Sequence, residues 1–215
     1  MKLLLTGFDP FEGNSVNPAL EAVKAVPDRI DDVQIVKVEV PTVFIKSIDC
    51  VVQAMAREKP DVVVCVGQAG RRFEVTPERV AINVDDARIA DNDGNQRFGV
   101  IYPDGPAAYF ATLPIKAMVQ RIRNANIPST VSNTAGTFVC NHLFYGVMYH
   151  VDKDPRFKNI KAGFIHVPFI PAQVVNRTEP AASMALQDIT AALVEAIKAI
   201  GEHPHDIQSA EGKED

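Results

Sequence analysis

The chain has 215 residues, 47% hydrophobic and 23% charged, which excludes a disordered chain and suits one α/β domain rather than two. A net charge of -5, with its 22 basic residues spread along the chain, offers no electrostatic footprint for nucleic acid or an anionic membrane surface. One lysine and three leucines before Gly7 are too short for a secretory leader, and no stretch approaches the roughly 20 apolar residues of a membrane-spanning helix, so the expected location is cytoplasmic.

Short apolar runs rich in β-branched residues and bounded by turn residues predict buried strands at 2–6, 33–40, 61–66, 130–133 and 163–167. Between them, Phe44, Ile48, Val51, Val52 and Met55 recur at helical spacing, with Thr42 as the expected cap. Ile115, Met118, Val119 and Ile122 mark a second helix, with Pro114 near its first turn, and residues 181–200 a third that buries Leu186, Ile189, Leu193, Ile197 and Ile200. Strands buried on both faces and alternating with amphipathic helices predict a three-layer α/β/α sandwich around a mostly parallel, twisted sheet. Residues 73–97 break the pattern. Alternation at Phe73/Val75 and Val80/Ile82/Val84, followed by the turn Asp91-Asn92-Asp93-Gly94, predicts an antiparallel excursion. The whole chain, 1–215, reads as a single domain, with a polar and aperiodic tail at 202–215 expected to fray.

In open α/β sheets ligands bind beyond the carboxyl ends of the strands, which directs attention to the loops at 7–18, 67–72 and 134–139. Cys140 follows the last of these at a predicted helix start, where unpaired N–H groups and the dipole favour a thiolate. By position alone, a small buried core residue is the commoner fate of such a cysteine. Cys65, inside an apolar strand, and Cys50, near the apolar face of its helix, read as core; three cysteines at irregular spacing make neither a disulfide framework nor a zinc site. His166 ends an apolar strand, a position suited to a general base. His142, two residues from Cys140, points away from it, and His150, His203 and His205 read as solvated. No metal ligation and no cofactor are expected. Glu78 is a candidate to orient the imidazole, though the residue taken alone reads more readily as a surface carboxylate paired with Arg79 or Arg88.

These segments resemble the pyroglutamyl peptidase I family of cysteine peptidases, also called pyrrolidone carboxyl peptidases, over nearly the whole chain. The likeness rests on Thr6-Gly7-Phe8-Asp9-Pro10-Phe11, Pro41-Thr42-Val43-Phe44, Gly67-Gln68-Ala69-Gly70, Glu78-Arg79-Val80-Ala81-Ile82-Asn83, Asp86-Ala87-Arg88, Thr134-Ala135-Gly136-Thr137-Phe138-Val139-Cys140-Asn141 and Phe164-Ile165-His166-Val167-Pro168. It implies a Glu78, Cys140, His166 triad that reverses the bland readings of Cys140 and Glu78, peptides with an N-terminal pyroglutamate as substrates, and a homotetramer. Glu12 and Arg71 stand where the family usually has glycine, so they bear on the substrate loops and not on the triad.

The resemblance further implies that Phe8 and Phe11 flank the lactam and that Gln68 pairs with its amide, while Ile89, Phe138 and Val139 close the pocket. The phenylalanines serve equally well as ordinary core. The oxyanion is expected to meet the Cys140 N–H and Arg88, with a purely structural ion pair as the alternative for Arg88. Two other functions compete: a thiol amidohydrolase for a different small acyl group, and a non-catalytic binding protein on the same scaffold.

Overall fold

The computed structural model describes residues 1–212. In chain order the elements are β1 (Lys2–Phe8), α1 (Pro18–Ala25), β2 (Arg29–Ile30), β3 (Val33–Val40), α2 (Lys46–Glu58), β4 (Val62–Gln68), β5 (Thr76–Pro77), β6 (Val80–Ile82), β7 (Asp85–Asp86) and β8 (Phe98–Gly99). They continue through β9 (Ala108–Phe110), α3 (Ile115–Asn124), α4 (Val139–Lys153), β10 (Lys161–Val167), α5 (Pro171–Val174) and α6 (Leu186–Glu202). The main sheet has the order β2-β3-β1-β4-β10-β5; its four central strands are parallel, and the short β2 and β5 add antiparallel edges.

Side chains alternate across the pleat, so each central strand feeds two cores. Leu3, Leu5, Val62, Val64, Val66, Ile165 and Val167 join the core under α1, α3 and α6. Leu4, Val63, Cys65, Ala162 and Phe164 join the core under α2 and α4. This is the expected three-layer sandwich. The order reverses between β1 and β4, and the carboxyl ends of those strands are the switch point at which open sheets hold ligands. At Gly7 the strand passes so close to α1 that a Cβ would stand 2.8 Å from the Leu20 Cα. The antiparallel excursion is present as two small ribbons, β6 with β9 and β7 with β8.

Several elements depart from their predicted bounds for identifiable reasons. Residues 130–133 are not a strand; isolated bridges Val75↔Ser129 and Glu78↔Ser132 tie this segment to the stretch around β5. Thr42 does not cap α2. Its N–H and hydroxyl are taken by Asp9, at 2.7 and 3.1 Å, and the helix starts after Ile45, whose φ of 62° is rare for a β-branched residue. The last helix begins at Leu186 rather than 181, because Met184 N–H first bonds the Phe169 carbonyl at 2.8 Å. α1 was not anticipated, although Asn17 caps it and Pro18 opens it.

The tail does not fray as far as residue 212. The Asp206 carboxylate accepts from the N–H groups of Lys116 and Ala117 at 3.0–3.1 Å and so caps α3, while Glu211 pairs with Arg123 at 2.8 Å. The last three residues of the predicted tail lie outside the described ones. Among the described residues no helix is long and apolar enough to cross a membrane.

Candidate active site

The pleat explains how distant residues meet. His166 follows Ala162 and Phe164 on the face of β10 that packs under α4, and Cys140 lies in the first turn of that helix. In the parallel register His166 stands beside Gly67 of β4, on the same face. A Cβ on Gly67 would stand 2.8 Å from both the Cys140 sulfur and the Phe164 ring, so only glycine leaves room for the thiol over the strand. β5 then brings in the third residue. Thr76 pairs with His166 across the sheet edge, the next N–H, that of Glu78, bonds the Phe164 carbonyl at 2.8 Å, and the Glu78 side chain lies against the imidazole.

Glu78 is fully buried, and its Oε1 accepts from His166 Nδ1 at 2.7 Å and from Arg72 Nη1 at 2.5 Å. Arg72 also donates to the Thr76 hydroxyl at 2.5 Å and to the Thr134 carbonyl at 2.8 Å. Sequence reasoning did not single out Arg72. It assigned Arg79 or Arg88 as the natural partner of Glu78, whereas Arg79 is engaged with Asn133 and the Glu211 carbonyl.

The ionisation states follow from burial. Burial alone would push Glu78 up, but the hydrogen bond and charge of His166 and the charge of Arg72 outweigh it and hold the carboxyl below its ordinary range. Burial pulls His166 below its ordinary 6.5, against the pull of Glu78. Cys140 is pushed up to about 12, first by burial and then by the Glu78 charge, with Arg72 opposing. Burial and the Glu78 charge therefore act against the thiolate expected from the helix N-terminus, and the neutral thiol is the favoured resting form. Cys65, fully buried in β4, is likewise pushed up to about 12.

Cys140 is half-buried, and with His166 it lines a mostly apolar cavity of about 320 Å³. All three loops expected to converge contribute to its wall, with Phe8, Phe11, Phe138 and Gln68 among the lining residues. Phe11 and Phe138 face each other at 6.4 Å between centroids, and Phe44 meets Phe138 edge-on at 5.4 Å. The Gln68 carbonyl accepts from Gln173 at 2.8 Å, which leaves the Gln68 amide NH₂ for a ligand. No side chain among the described residues caps α4, so the N–H groups of its first turn, that of Cys140 included, are not met by a cap.

Three expected residues are placed elsewhere. The Val139 side chain is fully buried in the core, so only its main chain can approach the cavity. Ile89 and Arg88 line an adjoining cavity, and Arg88 is exposed and lies 3.9 Å from Glu12. His142, expected to point away from Cys140, does so and is buried: its Nε2 accepts the Ile45 N–H at 3.0 Å, and its Nδ1 lies 3.0 Å from Asp85, which also pairs with Arg97 at 2.9 Å. His150 is half-buried rather than solvated, edge-on to Tyr102.

An α/β/α sheet with a thiol at a helix start, sharing a cavity with an imidazole anchored by a buried carboxylate, defines a chain built like a thiol hydrolase. The family model described as pyroglutamyl peptidase matches residues 1–203. A pyrrolidone-carboxylate peptidase of Clostridium perfringens is 58% identical over 213 residues, covering 99% of each chain, and one of Lactobacillus johnsonii is 56% identical over 215 residues with the same coverage. The crystal structure of pyroglutamyl peptidase I from Bacillus amyloliquefaciens superposes with a TM-score of 0.91 at 50% identity, covering 96% of this chain and 99% of that one. A mutant pyrrolidone carboxyl peptidase from Pyrococcus furiosus gives 0.90 at 35% identity, covering 95% and 100%. The chain belongs to the pyroglutamyl peptidase family.

Proposed function

We propose that this chain is a cysteine peptidase that hydrolyses the bond after an N-terminal pyroglutamyl residue, with Cys140 as nucleophile, His166 as its base and Glu78 orienting the imidazole. The observation that carries this reading is the buried 2.7 Å hydrogen bond between Glu78 and His166, beside a cavity whose wall also holds Cys140. Because Nδ1 is committed to Glu78, Nε2 is the nitrogen left to take the thiol proton. As the proton moves to Nε2, sulfur attacks the pyroglutamyl carbonyl carbon, and the resulting oxyanion is met by the Cys140 N–H at the start of α4. Arg88 joins it only if its side chain leaves Glu12. His166 then protonates the departing amine, the C–N bond breaks, and a thioester remains. Water, deprotonated by His166, attacks that thioester and releases pyroglutamate and the free thiol.

The apolar wall suits a five-membered lactam without charge, with Phe8 and Phe11 along the ring and the Gln68 NH₂ toward its carbonyl; Phe138 closes one side. An ordinary N-terminal ammonium would be desolvated beside the Arg72 guanidinium with no carboxylate among the described residues that line the cavity. The penalty of several kcal/mol corresponds to discrimination of about a thousandfold or more. Steady-state hydrolysis of pyroglutamyl-, prolyl- and alanyl-coumarin amides tests this, together with mass spectrometry after treatment with pyroglutamyl chloromethyl ketone. Turnover of all three at similar rates, or an adduct anywhere but Cys140, overturns the reading.

The reading includes action in the cytoplasm on pyroglutamyl peptides and assembly into a homotetramer. Self-association is supported by apolar side chains left exposed around the β7–β8 ribbon, namely Val84, Phe98 and Val100.

A further inference from the structure

If the pyroglutamyl head fills the apolar cavity, the rest of the peptide must leave past Cys140. The space it meets is a second cavity of about 850 Å³ with a mostly polar wall, continuous with the first through Phe11, Gln68, Gly70, Arg71 and Phe138. Five charged residues line this second space: Arg71, Arg88 and Arg177 against Glu12 and Glu179. Glu12 lies 3.9 Å from Arg88, and Arg177 is stacked 4.3 Å above the Phe169 ring with its Nε donating to the Gln173 carbonyl. Arg71 differs from these. It is exposed, makes no ion pair among the described residues, and is the one charged residue that lines both cavities.

The geometry points to Arg71 as the receiving group for a carboxylate on the departing part of the peptide, within the first two residues after the cleaved bond. This rests on the activity proposed above. The guanidinium presents a fork of donors that matches a carboxylate, and the surplus of arginine over glutamate gives the second cavity a positive field that favours such a group. The carboxylate has two possible sources, an acidic side chain or the free C-terminus of a short peptide.

Four peptides separate the cases: pyroglutamyl-alanyl-alaninamide, pyroglutamyl-glutamyl-alaninamide, pyroglutamyl-alanyl-alanine with a free carboxylate, and pyroglutamyl-lysyl-alaninamide. At low salt the wild-type kcat/KM is expected to be about twofold to fivefold higher for a carboxylate-bearing peptide than for the neutral one, as suits a solvent-accessible ion pair. Which of the two carboxylate peptides shows the gain identifies the source. The gain should shrink as salt is raised, fall to unity in Arg71→Ala and be only partly retained in Arg71→Lys, which keeps the charge and loses the fork. Equal rates for all four, faster cleavage of the lysyl peptide, or a gain that survives Arg71→Ala overturns the inference. Cleavage of the neutral peptide by the wild type separates this failure from failure of the proposed activity, which would leave all four intact.

Discussion

A buried imidazole that gives one proton to a carboxylate has only its other nitrogen for chemistry, and in this chain the donor to Glu78 is His166 Nδ1. With His166 held below 6.5 and Cys140 pushed up to about 12, both groups rest neutral near pH 7, and the thiol ionises only as its proton passes to the imidazole. The sign of the pH dependence follows. As pH falls below His166's pKa, the ring is protonated and can no longer accept, so kcat/KM should show an acid limb below 6.5. Because Glu78 raises the His166 pKa, Glu78→Gln should lower kcat and move that limb to still lower pH; a limb that moves upward would contradict the assignment. In the absence of substrate, iodoacetamide should label Cys140 at a rate that keeps climbing through the alkaline range. A preformed ion pair would instead give a plateau from about pH 4–5. At Gly67, alanine must displace both the sulfur and the Phe164 ring, since the added carbon falls 2.8 Å from each. Gly67→Ala is expected to reduce kcat by about a hundredfold, as an ångström-scale misplacement of a reacting group does, while circular dichroism shows an intact fold.

At the scale of elements, the site hangs on a few joints between secondary structures. The β7–β8 ribbon is locked to α2 and α4 through one buried chain: Arg97 to Asp85, Asp85 to His142, and His142 to the backbone of Ile45 at the strained start of α2. Asp85→Ala would leave His142 without its partner inside the protein and Arg97 half in water. The expected loss of stability is about 2–4 kcal/mol, less than for a fully enclosed ion pair because Arg97 reaches solvent, and urea unfolding measures it. The pleat of β4 and β10 is a second joint. Since His166, Phe164 and Gly67 share one face, a one-residue slip of β10 would turn the imidazole toward α1, α3 and α6 and away from Cys140.

For the molecule as a whole, the apolar side chains around the β7–β8 ribbon and the docked tail set the expectations. Phe98 is 66% exposed, a poor place for an aromatic ring in a monomer. Light scattering coupled to size exclusion is expected to give the mass of a tetramer, and Phe98→Glu to lower it; a monomeric wild type would remove the assembly from the proposal.

Much of this was legible along the chain because it is local. Unbroken apolar runs bounded by turn residues mark the central strands, Ile115, Met118 and Ile122 mark a helix by recurrence at three and four, and the small-residue loop before Cys140 marks a strand-to-helix turn. Which side chains pair with one another was not legible in the same way. Nothing near Glu78 in sequence says that Arg72, rather than Arg79 or Arg88, completes its ion pair, or that Asp206 caps α3 from 90 residues away. The resting protonation of Cys140 is the clearest case. The helix start that favours a thiolate is a local feature visible in the sequence, whereas the desolvation and the Glu78 charge that act against it come from atoms and groups that only the folded chain packs around the sulfur.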